Sequence, residues 1–367
     1  MSSATLTRRK SQLTRNQLPK WGHWAVAAGS LVIGAAISAL VGFGPVSLII
    51  WSAIVFVIAA TAVTGIVEGG RKASNRFWTF LIYGAFIVAL LPLVSVLWTV
   101  LQNGIPGLLD PGFLNKSMNG VTGVQDNAVK DGGPVLGGAY HAIIGTLLIT
   151  FWATVISAPI GLLTAIYLVE YSKGGPLSRA ITFFVDVMTG IPSIVAGLFA
   201  VALFAMIFGP GTKTGFIASV ALTVLMIPVV VRSTEEMLKI VPNELREASY
   251  ALGVRKWRTI TKVVIPTAIS GIASGVTLAI ARVIGETAPI LVTAGFATAI
   301  NFNAFAGWMS SLPTFIYTQF ITPTSPTYIE PSLQRGWGAA LVLIIMVMLL
   351  NLIARIIAKI FAPKTGR

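Results

Sequence analysis

The stretch Phe77-Trp-Thr-Phe-Leu-Ile-Tyr-Gly-Ala-Phe-Ile-Val-Ala-Leu-Leu-Pro-Leu-Val-Ser-Val-Leu-Trp-Thr-Val-Leu101 holds no Asp, Glu, Lys or Arg over 25 positions. A bilayer core of about 30 Å is crossed by roughly 20 apolar residues in helical form, so this run spans lipid. Seven further runs qualify, near 24–43, 46–67, 141–169, 180–208, 215–232, 263–284 and 337–358. The whole chain of 367 residues is 55% hydrophobic and 10% charged, whereas soluble domains carry about a quarter charged residues. The expected fold class is therefore an all-α polytopic membrane protein with eight spans. The first run is too long for a signal-peptide core and lacks a small-residue cleavage site, so it reads as a retained span.

Charge sets the expected orientation. A net charge of +14 would suit nucleic acid, but the basic residues sit between apolar runs and form no RNA- or DNA-binding motif, so no nucleic acid is expected. Positive residues in short loops stay on the cytoplasmic side. One alternating set of connections holds Arg8, Arg9, Lys10, Arg15 and Lys20, then Arg71, Lys72 and Arg76, then Lys173 and Arg179. The same set continues with seven basic residues over 232–262 and with Arg355, Lys359, Lys364 and Arg367. The opposite set holds only Lys116, Lys130, Lys213 and Arg335, which places both termini in the cytoplasm. Trp24, Trp78, Trp98 and Trp337 fall near span ends, where an amphipathic ring suits the headgroup level. Cysteine is absent, which excludes disulfides and thiol catalysis, and His23 and His141 alone cannot build a zinc site.

Of the two long connections on the opposite side, 102–139 is rich in Gly, Asn and Asp and reads as a solvated loop. Residues 287–334 mix five prolines with apolar residues and are expected to re-enter the membrane in part. Asp186, inside the fifth run, reads as a water-facing end residue in preference to a partner for a basic group. His141 reads as interfacial, Pro192 and Pro228 as kinks, and Gly34, Ser38 and Gly42 as a packing edge of the first span.

The one long charged cytoplasmic connection is Arg232-Ser-Thr-Glu-Glu-Met-Leu-Lys-Ile-Val-Pro-Asn-Glu-Leu-Arg-Glu-Ala-Ser-Tyr-Ala-Leu-Gly253. Pro242 suits the first turn of a helix, Glu244 and Glu247 complement its positive end, and Gly253 suits the position past its end. A short helix over 242–252 follows, with Leu245, Ala248 and Leu252 on one face. Such a helix either lies on lipid headgroups or docks into a partner protein, and small residues at Ala248, Ser249 and Ala251 suit close docking.

The seventh run ends Ala279-Ile-Ala-Arg-Val-Ile-Gly-Glu-Thr-Ala-Pro289. A charge at the bilayer centre costs at least ~2.5–3.5 kcal/mol on insertion scales. At four-residue spacing Arg282 and Glu286 share a helix face and can pair, and Gly271 and Gly275 extend that stripe as a close-packing surface. The pair serves either to hold helices together or to place a guanidinium on a translocation route, where its planar donors match a phosphate oxyanion.

Two of these segments resemble a known family. Glu247-Ala248-Ser249, Gly253 six residues after Glu247, and Val263, Ile265 and Pro266 resemble the EAA loop of importer permeases of the ATP-binding-cassette class. The run around Arg282 and Glu286 resembles the phosphate-permease signature Ala-Arg-Ile-Ala-Gly-Glu-Thr-Ala-Pro, and the likeness extends over roughly 135–358. The resemblance implies a MetI-like, six-helix type I importer permease core, to which this chain adds two N-terminal transmembrane helices. It divides the chain into a tail and two extra spans (1–76), a first core helix and loop (77–140), a permease domain (141–358) with its coupling loop at 235–266, and a basic tail (359–367). It further implies uptake of inorganic phosphate by alternating access. The partners would be a PstC-like permease, a PstB-like ATPase dimer binding ATP and Mg, and a PstS-like phosphate-binding protein. Arg282 and Glu286 would lie on the substrate pathway, and Glu247, Ala248, Ser249 and Gly253 at the ATPase contact. No phosphate-binding loop of the Gly-x-x-x-x-Gly-Lys-Ser/Thr type occurs, so the chain is expected to be a non-enzymatic subunit with no cofactor or metal of its own. A permease for molybdate or sulfate would share the EAA loop without the Gly-Glu-Thr-Ala-Pro run, and an ion-coupled secondary carrier would need no coupling loop.

Overall fold

The computed structural model describes residues 18–19, 21–42, 44–172 and 174–361. Arg8, Arg9, Lys10, Arg15, Lys20, Lys173, Lys364 and Arg367 of the charge count lie outside the described residues. Among the described residues all regular structure is helical, and the chain forms two compact units, one up to Leu97 and one from Trp98 onward.

The first unit contains α1 (Gly22–Val41), α2 (Pro45–Glu68) and the first part of α3 (Gly70–Leu108). Lipid gives two apolar helices no hydrophobic reason to associate, so small residues must bring them close. Gly34 lies so near the backbone of Ser52 that a Cβ has no room, and Ser38 Oγ donates to Ser47 Oγ at 3.0 Å. Gly42, expected to continue that edge, instead ends α1 at φ 138° with open space around it. Arg71, Lys72 and Arg76, expected in a loop, occupy the first turns of α3, because Gly69 alone turns the chain between α2 and α3 at φ 98°. Glu68 closes this junction: it accepts from the Leu18 amide at 2.9 Å and from Arg76 Nη2 at 3.2 Å.

The second unit is organised around α8 (Gly215–Ile240), which packs on α5 (Tyr140–Ile166), α6 (Pro176–Thr189), α7 (Ser193–Phe208), α11 (Ile265–Val283) and α12 (Ala288–Thr293). Leu222, Met226, Val230, Ala279 and Val283 are buried there, and Ser219 Oγ crosses to the Ile149 carbonyl at 3.0 Å. A Cβ on Gly161 would meet Val230 at 2.6 Å, so this glycine sets the spacing of α5 and α8. The long α14 (Glu330–Phe361) completes the set.

The run 180–208 is not one straight span: α6 and α7 meet at 109° across Gly190, Ile191 and Pro192. Pro192 cannot continue α6, since it has no amide proton and biases the residue before it away from helix. Counting this pair as one broken span, eight segments among the described residues are long and apolar enough to cross a membrane, and seven otherwise. By contrast α8 runs unbroken through Pro228 to Ile240.

Residues 102–139 are a solvated loop only in part. Helix α3 continues to Leu108, a short α4 (Gly123–Ala128) follows, and Phe113, Met118 and Ala139 are buried against Leu312 and Phe315. Asp126 and Arg335 hold this cap together at 2.5 Å, with 0% and 1% of their side chains exposed. Arg335 also donates to Gln319 Oε1 at 3.1 Å and to the Leu136 carbonyl at 3.0 Å. His141 is likewise not interfacial but buried, edge-on to Phe315 at 5.1 Å. Residues 287–334 form two short helices, α12 against α7 and α13 (Leu312–Ile321) against α14.

Candidate functional site

The loop helix is α9 (Asn243–Ala251), with Pro242 as its N-cap and Gly253 at φ 74° past its end. A left-handed residue there lets the chain turn sharply, and Val254 N returns to the Ser249 carbonyl at 3.2 Å. The buried Ser249 Oγ lies 2.8 Å from Thr259 Oγ1 in α10 (Lys256–Thr259), so the hydroxyl that replaces the second Ala of the EAA pattern closes the turn. One turn of π-helix, Ile260–Val264, then leads into α11, with Pro266 in its first turn.

Arg246 fixes α9 from below. Its Nη2 donates to Glu170 Oε1 at 2.7 Å and its Nε to the same oxygen at 3.1 Å. The guanidinium also reaches the Leu238 carbonyl at 2.9 Å and the Val241 carbonyl at 2.6 Å, satisfying acceptors that the end of α8 leaves unpaired. Glu170 belongs to a second π-turn, Tyr167–Tyr171, which ends α5, and Lys256 Nζ stands 5.0 Å above the Tyr171 ring. Two contacts thus tie the end of α5 to both sides of the loop. The pairing of Glu170 with Arg246 escaped the sequence because 76 residues separate them. The readable signal was a lone carboxylate at the end of an apolar run.

The opposite face of α9 is uncovered among the described residues: Glu247, Ala248 and Leu245 are exposed, and Leu252 is 82% exposed. The sequence-predicted contact residues therefore split. Glu247 and Ala248 present themselves outward, while Ser249 and Gly253 shape the loop.

The charged run straddles a helix break. Helix α11 stops at Val283, Ile284 and Gly285 turn, and Glu286 lies between α11 and α12. A helix continued through Pro289 would drive its ring into the carbonyl of Gly285, and glycine itself weakens the helix there. The expected sharing of one helix face by Arg282 and Glu286 is thereby lost. Among the described residues neither side chain makes an ion pair; Arg282 is exposed and Glu286 half-buried. The stripe below them behaves as expected, since Gly271 and Gly275 leave no room for a Cβ against Met237 and Ser233 of α8. Beyond the break, Pro289 is buried and a Cβ on Gly197 of α7 would stand 2.7 Å from its Cα.

Asp186, read as a water-facing end residue, pairs with Arg232 of α8 while remaining 58% exposed. Arg232 Nη1 also meets Glu235 at 2.9 Å, and Glu235 meets Lys239 Nζ at 2.7 Å.

A family model described as the binding-protein-dependent transport system inner membrane component matches residues 157–367, which hold both α9 and the charged break. The chain belongs to this family. It is 47% identical over 287 residues to the phosphate transport system permease protein PstA 1 of Mycobacterium tuberculosis (strain ATCC 25618 / H37Rv), covering 78% of this chain and 88% of that one. To the phosphate transport system permease protein PstA of Pasteurella multocida it is 36% identical over 288 residues, covering 78% of this chain and 95% of the relative. Among solved structures it is similar to a chain of a bacterial ABC transporter involved in the import of the acidic polysaccharide alginate. That likeness has a TM-score of 0.49 at 14% identity, covering 77% of this chain and 97% of that one.

Proposed function

We propose that this chain is the transmembrane permease subunit of an ATP-driven importer of inorganic phosphate in a bacterial inner membrane. The observation that carries the reading is the clamped α9, whose outward face is uncovered among the described residues, in a protein 47% identical to a phosphate transport system permease. In this reading both termini and α9 face the cytoplasm. Glu247 and Ala248 contact a PstB-like ATPase, Ser249 and Gly253 hold the loop in shape, and ATP and Mg bind at that ATPase and not here. A PstC-like permease forms the other half of the route, and a PstS-like protein delivers phosphate from the opposite side.

Arg282 and Glu286 sit on the route. An exposed guanidinium with no ion-pair partner among the described residues can exchange water for an oxyanion without first breaking an ion pair. Glu286, a short way along the break, opposes tight anion binding and so favours release. ATPase closure moves α9, and Arg246 passes that movement to the ends of α5 and α8.

The test is uptake by the reconstituted four-component complex in proteoliposomes. Phosphate accumulation that requires ATP and the binding protein is the expected outcome. Uptake of molybdate or sulfate in preference to phosphate would replace the substrate, and uptake by this chain alone on an ion gradient would overturn the importer reading.

A further inference from the structure

The ion pairs of the second unit differ in burial, and the difference separates struts from a joint. Asp126–Arg335 is 0% and 1% exposed and Glu170–Arg246 5% and 13%, whereas Asp186–Arg232 is 58% and 36% exposed. A pair in contact with water adds little stability, because its Coulomb attraction is screened and the two side chains lose freedom. The pair that joins α6 to α8 is therefore easily opened, and by itself it does not hold the fold.

The elements it joins have the form of a hinged segment on a rigid post. Helix α6 follows Gly174, at φ 76°, and Gly175, both in open surroundings, and ends at the Gly190–Pro192 break with its 109° change of direction. Between those breaks α6 packs on α8. Arg232, Glu235 and Lys239 form a line of linked charges down α8, and Lys239 stands one residue before the end of the helix that leads into α9. At its other end α6 leads into α7, which meets Pro289 through Gly197, three residues beyond Glu286. Asp186–Arg232 is thus a side-chain link between α8, which leads into α9, and α6, which leads into the helix that packs on the charged break.

We infer that Asp186 and Arg232 are a positioning pair, a latch that holds α6 on α8 in the resting state and opens during transport. This rests on the reading of the chain as an ATP-driven permease. Opening frees α6 and α7 to shift against α12 when α9 moves. A pair of this exposure weights a two-state equilibrium by up to about fivefold, enough to set a resting bias and small enough for nucleotide binding to override.

The reconstituted complex tests this with Asp186→Asn, Arg232→Gln and the double variant, beside the unaltered complex. The expected result is normal co-purification of the ATPase, a basal ATPase rate raised up to about fivefold without phosphate, and weaker stimulation by the loaded binding protein. The double variant should match Arg232→Gln alone, because once Arg232 has lost its charge Asp186 has no link left to lose. Unchanged basal and stimulated rates, additive effects, or loss of assembly would each overturn the latch. Because the chain has no native cysteine, Asp186→Cys with Arg232→Cys gives a second readout. A cleavable bifunctional thiol reagent joining them should block ATP-driven uptake, and cleavage should restore it; uptake at the normal rate while cross-linked would refute the latch. Failure of the unaltered complex to transport phosphate would instead overturn the underlying reading.

Discussion

Glu170 in the π-turn that follows α5 and Arg246 in the middle of α9 are joined at 2.7 Å, with only 5% and 13% of their side chains exposed. Removing one partner of a buried pair leaves the other charge uncompensated, a loss of about 3–5 kcal/mol. Arg246→Ala and Glu170→Gln are therefore expected to release α9 and to lower retention of the ATPase on affinity purification. Arg246→Lys should rescue only in part, because one ammonium cannot reach Glu170 and the carbonyls of Leu238 and Val241 together.

Arg282→Gln should abolish phosphate uptake while leaving the melting temperature in detergent nearly unchanged. The side chain is exposed and has no ion-pair partner among the described residues, and surface changes of that kind stay within about 0.5 kcal/mol. A fall in melting temperature matching the loss of uptake would mean that Arg282 is structural.

Gly275→Val should lower thermal stability, because a Cβ at 275 collides with Ser233. Overpacking a tight contact costs about 1–3 kcal/mol. Differential scanning fluorimetry of the purified chain would show it, and Gly285→Ala, in open space within the break, should be far milder.

Asp126→Asn should destabilise the cap by about 3–5 kcal/mol, since Arg335 would stay buried without its counter-charge. Replacing both residues by apolar ones of similar size should be milder, and limited proteolysis of the 102–139 segment would distinguish the two.

The spans, the loop helix and the glycine stripe were legible because each rests on a local rule: run length, capping, and spacing along one helix. Gly253 is an example, since a glycine past a capped helix has one common use. What escaped depends on residues far apart in the chain. Asp126 and Arg335 are 209 positions apart, and the polar composition around Asp126 reads as solvated until its partner is known. The helix face expected to be shared by Arg282 and Glu286 failed for the opposite reason: their spacing implied a helix that Gly285 and Pro289 interrupt. The anion proposed as substrate was never local; that reading came from the likeness of one short run to a family pattern.

The π-turn Ile260–Val264 sets the rotational phase between the two ends of the segment 256–283. A π-turn accommodates one residue more than an α-turn, and one residue is about 100° of rotation. That extra residue lets Thr259 face Ser249 while Gly271 and Gly275 face α8. Conservative substitutions within 260–264 leave the arrangement standing. Deleting a single residue there would remove the bulge and leave the two faces in phase, whereas regular α-geometry forced through all five residues would swing every position after them by about 100°, carrying Gly275 off Ser233 and Arg282 to a new side of the helix.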